Sequence, residues 1–314
     1  MGRSGADAGE TPLSQKPMNR STANLLLLAA AAIWGLAFVP QQTAMTVLTP
    51  MWFLTLRFIV SSAVIVPLAL RESRHAARPV DRRSLGLIVA VGLVFFAGNA
   101  LQQTALLTTS VANAGFLTSL YILFTPFVAV AITHERPGVA VWPAALLGLV
   151  GAWLLSGGLT GTFVLGDLLL TISAAGWALQ IVLIGIVVRR VERPMLLVAV
   201  EGLVMVVACG AWAVAFEPIS WGAIRTAGWE LAYTGLVSGV VGYSLQAIAQ
   251  RHATASDAAI VFSTEAPMAA VFGWAMLGDH FSSAQWAGAV AIFAAVLLVQ
   301  LWPSREAAPS ATAG

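Results

Sequence analysis

Long apolar runs dominate the chain, and polar positions fall between them rather than alternating within them. A helix crossing a bilayer needs about 20 mostly apolar residues. Divided at charge clusters, prolines and Gly/Ser stretches, the sequence predicts ten such helices. They fall at 23–44, 51–70, 85–105, 111–133, 139–155, 165–188, 195–216, 228–249, 255–277 and 283–301. The runs are too long for strands and lack sustained alternation. A transmembrane barrel needs every second position facing a lumen, whereas polar residues here are scattered singly. Residues 1–22 are polar and read as a disordered cytoplasmic tail, and residues 303–314 as a second polar cytoplasmic tail. Lys16 and Arg20 ahead of leucines 25–28 imitate a signal peptide. The apolar run continues through Trp34 to Ala44 without a small-residue cleavage site, so it reads as the first span.

The second half echoes the first at a spacing of 144. Leu101-Gln102 matches Leu245-Gln246, Ala105 matches Ala249, Ala114 matches Ala258, Ser119 matches Ser263, Glu135 matches Asp279 and Trp142 matches Trp286. Trp34 matches Trp177 at a spacing of 143. The pattern divides the chain into copies at 23–156 and 165–302, each with five predicted spans. Five is odd, so the copies are expected to lie in opposite senses across the membrane. Such inverted repeats recur in secondary transporters, with the substrate site near the midplane between halves.

Composition removes the soluble alternatives. The hydrophobic fraction is 59% and the charged fraction 10%, against about 45–50% and 25% in soluble domains. Too little charge is present to coat a water-facing surface. A net charge of +2 gives no footprint for nucleic acid. The single cysteine, Cys209, can form neither an internal disulfide nor a cysteine metal cluster. With the N-terminus inside, 14 of the 16 basic residues fall in cytoplasmic segments, Arg225 alone falls outside, and Arg57 lies within a span. The positive-inside rule then places both termini in the cytoplasm.

Several stretches carry a family resemblance. In the first half they are Trp34-Gly35, Arg57-Phe58, Leu101-Gln102-Gln103-Thr104-Ala105, residues 109–117, Tyr121, Pro126 and His134-Glu135-Arg136. In the second half they are Ser263-Thr264-Glu265-Ala266-Pro267, Leu277-Gly278-Asp279-His280 and Gln285-Trp286-Ala287-Gly288. In these the chain resembles the drug/metabolite transporter (DMT) superfamily, its ten-helix EamA-type members, and among them the YddG-type exporters. Ala266 separates the glutamate from Pro267, and Asp279-His280 stands where the family pattern has Glu-Arg. The resemblance implies an all-α membrane fold and an inner-membrane carrier exporting small metabolites. It also implies a central cavity lined by helices 1, 3, 4, 6, 8 and 9.

At a rise of about 1.5 Å per residue, Trp34, Tyr121, Trp177 and Glu265 lie within roughly 3 Å of their span centres. Tyr121 and Glu265 are repeat mates. Trp52, Trp142, Trp221, Trp229, Trp286 and Trp302 lie near span ends, where interfacial belts form. Trp34 and Trp177 do not, and they read either as helix packing or as aromatic walls around a flat substrate. Glu265 is the sharpest candidate: a carboxylate in hydrocarbon must face a cavity, find a partner or stay protonated. It reads as a substrate-binding or proton-coupling group, or as a structural acceptor near Pro267, with Ser263 and Thr264 satisfying freed backbone groups. Asn99, Gln102, Gln180, Tyr243 and Gln246 complete the candidate substrate site; each alone reads equally as interhelical glue. Arg57 and Glu201 are deep charges on helices outside the implied cavity set. They are expected to be structural, Arg57 bracing the fold and Glu201 as its partner or snorkelling inward. Asp167 reads as a helix cap. Gly235 and Gly239 read as close packing.

Catalytic motifs are not found. His134-Glu135 has no second histidine one turn on, Cys209 has no nearby histidine, and no phosphate-cradling GxxxxGK[ST] occurs. The expectation is a carrier without cofactor or metal, moving a small molecule, amino acids first and aromatic ones among them. Drug or other metabolite efflux, a channel, and a non-transporting receptor or scaffold are the alternatives. Transport is expected to be secondary-active, with proton coupling through Glu265 as the candidate drive, or facilitative with no coupling ion; direction, energy source and oligomeric state are not encoded legibly.

Overall fold

A computed structural model describes residues 18–76, 78–109, 111–134, 137–157, 164–277 and 281–302. Most of the two expected tails and the motif residues Glu135, Arg136, Gly278, Asp279 and His280 lie outside the described residues. The described chain is helical, with no strand among the described residues. In order the helices are α1 (Arg20–Ala44), α2 (Pro50–Arg74), α3 (Arg82–Ala105), α4 (Val111–Ser119), α5 (Tyr121–Thr133), α6 (Val141–Leu155) and α7 (Leu165–Val191). They continue with α8 (Pro194–Phe216), α9 (Trp221–Thr226), α10 (Gly228–Ala232), a π-helical segment (Tyr233–Gly242), α11 (Tyr243–Ala249), α12 (Ala255–Phe262), α13 (Glu265–Leu277) and α14 (Ser283–Leu301).

Seven helical stretches among the described residues are long and apolar enough to cross a membrane: α1, α2, α3, Ala114–Thr133, α7, α8 and Gly228–Ala249. The stretches Val141–Leu155 and Ser283–Val299 are apolar but shorter. Large apolar side chains such as Leu93, Val207, Val290 and Leu297 point outward and are exposed. That is the surface expected where lipid, not water, is the solvent.

Local chemistry sets the helix starts. The Asn19 side chain accepts from the Thr22 N–H, and Asp81 accepts from the Ser84 N–H at 2.8 Å. Helices α2 and α8 both begin with proline, Pro50 and Pro194, which are 144 positions apart. Proline suits the first position because its missing N–H has no intrahelical partner there. The next N–H groups are capped by the neighbouring helix. Glu217, just past the end of α8, accepts from Met51 and Trp52 N–H, both at 3.1 Å. Glu72, near the end of α2, accepts from Met195 and Leu196 N–H at 3.3 and 3.0 Å. Each helix thus presents its C-terminal end to the other's N-terminal end, so α2 and α8 pack antiparallel.

The heaviest packing joins α2 to α8, α6 to α14, α3 to α7, and α1 to both α13 and the stretch from the π segment through α11. Helix α7 also packs on α4 and α5, and α2 on the π segment as α8 does on α3. Exchanging each element for the one 143–144 residues away leaves this pattern unchanged. The two largest hydrophobic cores among the described residues lie one around α2, α3 and α8 and the other around α1, α5, α6, α7, α12 and α14; Trp34 and Trp177 pack against both.

Three predicted helices differ in detail. The fourth breaks at Leu120 and the ninth at Ser263-Thr264, so each is two helices rather than one. Pro267 cannot donate to the Ser263 carbonyl, which takes the Ala266 N–H instead at 3.2 Å. The Ser263 and Thr264 hydroxyls donate to the Ile260 and Val261 carbonyls at 2.6 and 2.8 Å. The eighth helix loosens into π geometry over Tyr233–Gly242. There Gly235 lets the backbone lie against Val60 and the Arg57 carbonyl, and Ser61 donates to the Gly235 carbonyl at 2.6 Å. Asp167, in the first turn of α7, accepts from the Val164 N–H and the Thr109 hydroxyl, as a cap does.

Candidate functional site

Between the two cores lies a cavity of about 610 Å³, its mouth included. Trp34, Asn99, Gln102, Tyr121, Trp177, Gln180, Tyr243, Gln246 and Glu265, the nine residues expected at a substrate site, all line it. Phe38, Gln41, Arg57, Thr118, Ile181, Ser238 and Phe262 complete the lining.

The helix breaks place the polar groups. Tyr121 and Glu265 are the first residues after the breaks in the two halves, and the Tyr121 hydroxyl donates to Glu265 Oε1 at 3.4 Å. A broken helix within a membrane turns backbone and side chains toward a cavity, the one place where such irregularity is tolerated. Aromatic rings form the walls. Trp34 packs on Tyr243 and on Phe262, each with ring centroids 5.1 Å apart. Phe95 meets Tyr243 edge-on at 4.9 Å and Trp177 at 5.8 Å. The tryptophans sit in equivalent seats: a side chain at Gly98 would meet the Trp177 ring, and one at Gly242 would meet Trp34 Nε1. Gly98 and Gly242 are 144 apart.

Hydrogen bonds hold the amides. Trp177 Nε1 donates to Gln102 Oε1 at 2.7 Å, and Asn99 donates to the Phe95 carbonyl at 3.0 Å. Gln246 donates to Gln180 at 3.5 Å, and Gln180 donates to Glu201 at 3.1 Å. Trp34 Nε1 is buried without a partner.

Arg57 departs from its expected place. Rather than bracing the fold away from the cavity, it lines the wall. Its Nη1 donates to Gln41 Oε1 at 3.2 Å and its Nη2 to the Tyr243 hydroxyl at 3.4 Å. Its guanidinium lies 4.7 Å from the Phe58 ring centre. Glu201 is not its partner: the ion pairs among the described residues are Arg20–Asp257, Arg190–Asp81 and Arg251–Glu192. Nor does Glu201 snorkel; it is buried, behind Gln180. A sequence signal for Arg57 existed. Arg57 and Glu201 are themselves 144 apart, so two opposite charges occupy equivalent places in the halves. Phe38 and Ile181 share the 143 spacing of the tryptophans, and Thr118 and Phe262 share the 144 spacing. The same rule that pairs Tyr121 with Glu265 would have found them.

The arrangement defines a helical membrane protein with a polar, aromatic-walled cavity built from both halves. Comparison with known proteins gives that class a family. The EamA-like transporter family matches twice, over residues 21–157 and 164–301, and the chain belongs to it. The protein is therefore a multi-pass membrane transporter of the drug/metabolite transporter superfamily. It is similar to an uncharacterized transporter of Archaeoglobus fulgidus, 27% identical over 285 residues that make up 90% of this chain and 87% of the relative. A solved crystal structure of a protein superposes with a TM-score of 0.72 at 19% identity, over 90% of this chain and 98% of that one, which shows a shared fold.

Proposed function

We propose that this chain is an inner-membrane exporter of small metabolites, amino acids first and aromatic ones among them, of the YddG type. In this reading ten spans form two inverted five-helix halves, 23–156 and 165–302, with both termini in the cytoplasm. The two halves alternately expose the cavity to either side, by facilitated or secondary-active exchange. Glu265 is the group we assign to proton coupling.

One observation carries the reading. The cavity lining repeats itself: Trp34 with Trp177, Phe38 with Ile181, Asn99 with Tyr243, Gln102 with Gln246, Thr118 with Phe262 and Tyr121 with Glu265 are equivalent positions of the halves. A site shared in this way lies where two inverted halves exchange conformations, which gives alternating access without further parts. The antiparallel α2–α8 pair supports the inversion. The aromatic walls suit a flat or partly apolar side chain, and the amides and Glu265 suit amino and carboxylate groups.

Counterflow in liposomes tests this. Purified protein in vesicles preloaded with unlabelled amino acid should accumulate the labelled compound from outside transiently. Trans-stimulation of this kind distinguishes a carrier from a channel, and no flux of any amino acid would remove the substrate assignment.

A further inference from the structure

Arg57 is a cation in a membrane-spanning helix, 2% exposed, on the wall of a cavity. Charges at such depth are expensive and are usually offset by a carboxylate. No described carboxylate does so here. Glu201 is occupied by Gln180 and Glu265 by Tyr121, and the ion pairs among the described residues leave Arg57 out. Its neighbours are a neutral amide oxygen, a phenol oxygen and two phenylalanine rings. Arg57 Nε has no acceptor at all.

Trp34 Nε1 supplies an independent second observation. It too is buried without an acceptor, and its ring packs on Tyr243, the same residue whose oxygen accepts from Arg57. Accepting that bond leaves the Tyr243 O–H free to donate. Buried donors without acceptors are costly. One of these donors belongs to the guanidinium itself and the other to an indole packed on the same tyrosine, and together they mark where an acceptor belongs.

We propose that this corner, Arg57 with Trp34 Nε1 and Tyr243, binds the carboxylate of the transported molecule. The assignment rests on the carrier reading above and says which group of the substrate docks where. A guanidinium matches a carboxylate in plane and in charge. A doubly charged phosphate is a poorer match, because among the described lining residues Arg57 is the one cation and Glu265 lines the same cavity. Glu265 is the complementary group for the ammonium of the same molecule. Arg57 and Glu265 both line the cavity and carry formal charges of opposite sign. The favoured ligand is a zwitterion, and its carboxylate is indispensable.

Matched trios test the assignment: L-alanine, ethylamine and propanoate; L-leucine, isopentylamine and 4-methylpentanoate; L-phenylalanine, phenethylamine and 3-phenylpropanoate. Binding to the purified full chain is read by thermal shift and calorimetry, and transport by counterflow. In at least one trio the two carboxylates should bind and the amine should bind at least about tenfold more weakly, the scale of one charge-assisted hydrogen bond. Arg57→Gln should erase that preference, and Arg57→Lys should restore part of it. Trp34→Phe, which keeps a ring but removes the N–H, should narrow the carboxylate-to-amine ratio several-fold, and it decides the matter if Arg57→Gln fails to fold. Equal binding of amine and acid, an unchanged preference in Arg57→Gln or Trp34→Phe, or no binding in any trio overturns the proposal. Carboxylate-selective binding without counterflow overturns the carrier reading and leaves the Arg57 assignment standing.

Discussion

Glu265 accepts a hydrogen bond from Tyr121 at 3.4 Å and lines the cavity at the mouth of a helix break. Glutamine at this position keeps an oxygen for Tyr121 and cannot titrate. Glu265→Gln in liposomes should therefore lose the response of transport to an imposed pH gradient, and should keep counterflow only at weakened affinity, because the amide oxygen still accepts from a substrate ammonium but carries no countercharge. A variant that loses thermal stability yet keeps its pH response would make Glu265 a structural acceptor instead. This residue was legible because a carboxylate amid apolar positions is conspicuous, and the same holds for Trp34 and Trp177 far from span ends. Arg57 was misplaced for a physical reason. Position along a span gives depth, but which way a side chain faces depends on how the helices pack, and Arg57 turns inward on a helix the resemblance set outside the cavity. Glu201, at the equivalent place, sits behind Gln180, so equivalence in sequence does not make the two faces identical.

Elements carry the next level of specification. Apolar run length located the helices, but not the breaks at Leu120 and Ser263-Thr264 or the π segment at Tyr233–Gly242. These depend on one or two displaced backbone hydrogen bonds and on side-chain hydroxyls that satisfy the freed carbonyls, energies too small and local to change hydrophobic patterning. The glycine seats expose a difference between the halves. A Cβ at Gly98 would lie 3.5 Å from the Trp177 ring, an ordinary contact, whereas one at Gly242 would lie 2.7 Å from Trp34 Nε1. The indole is wedged against Tyr243 and Phe262 and has little room to retreat. Gly98→Ala should be neutral or slightly stabilising, since alanine favours a helix by up to about 1 kcal/mol over glycine. Gly242→Ala should destabilise by about 1–3 kcal/mol, the usual cost of overpacking. Thermal unfolding in detergent compares the two; equal melting temperatures would mean that Trp34 moves aside freely.

At the scale of the whole molecule, two independent features bear on how the chain lies in the membrane. The distribution of basic residues puts residues 71–83 and 189–193 on one side and the 45–50 and 217–227 connections on the other. The glutamate caps agree in geometry. Glu72 holds the start of α8, so the 71–83 and 189–193 connections share a side, and Glu217 holds the start of α2, so the other two connections share the opposite one. Charge counting and backbone capping rest on different physics, one on the insertion of charged loops and the other on unsatisfied N–H groups. Single cysteines test their common outcome. Thr46, Pro218, Arg78 and Arg189 are exposed, and native Cys209 is buried. In sealed cells an impermeant maleimide should label cysteine at Thr46 or Pro218 directly, and cysteine at Arg78 or Arg189 only after permeabilisation. Labelling of Arg78 and Arg189 from outside, with Thr46 and Pro218 protected, would reverse the orientation while keeping the fold. Labelling of cysteine at Arg78 together with cysteine at Thr46 would mean that α2 does not cross the membrane, because both ends of a helix that crosses once cannot face the same side.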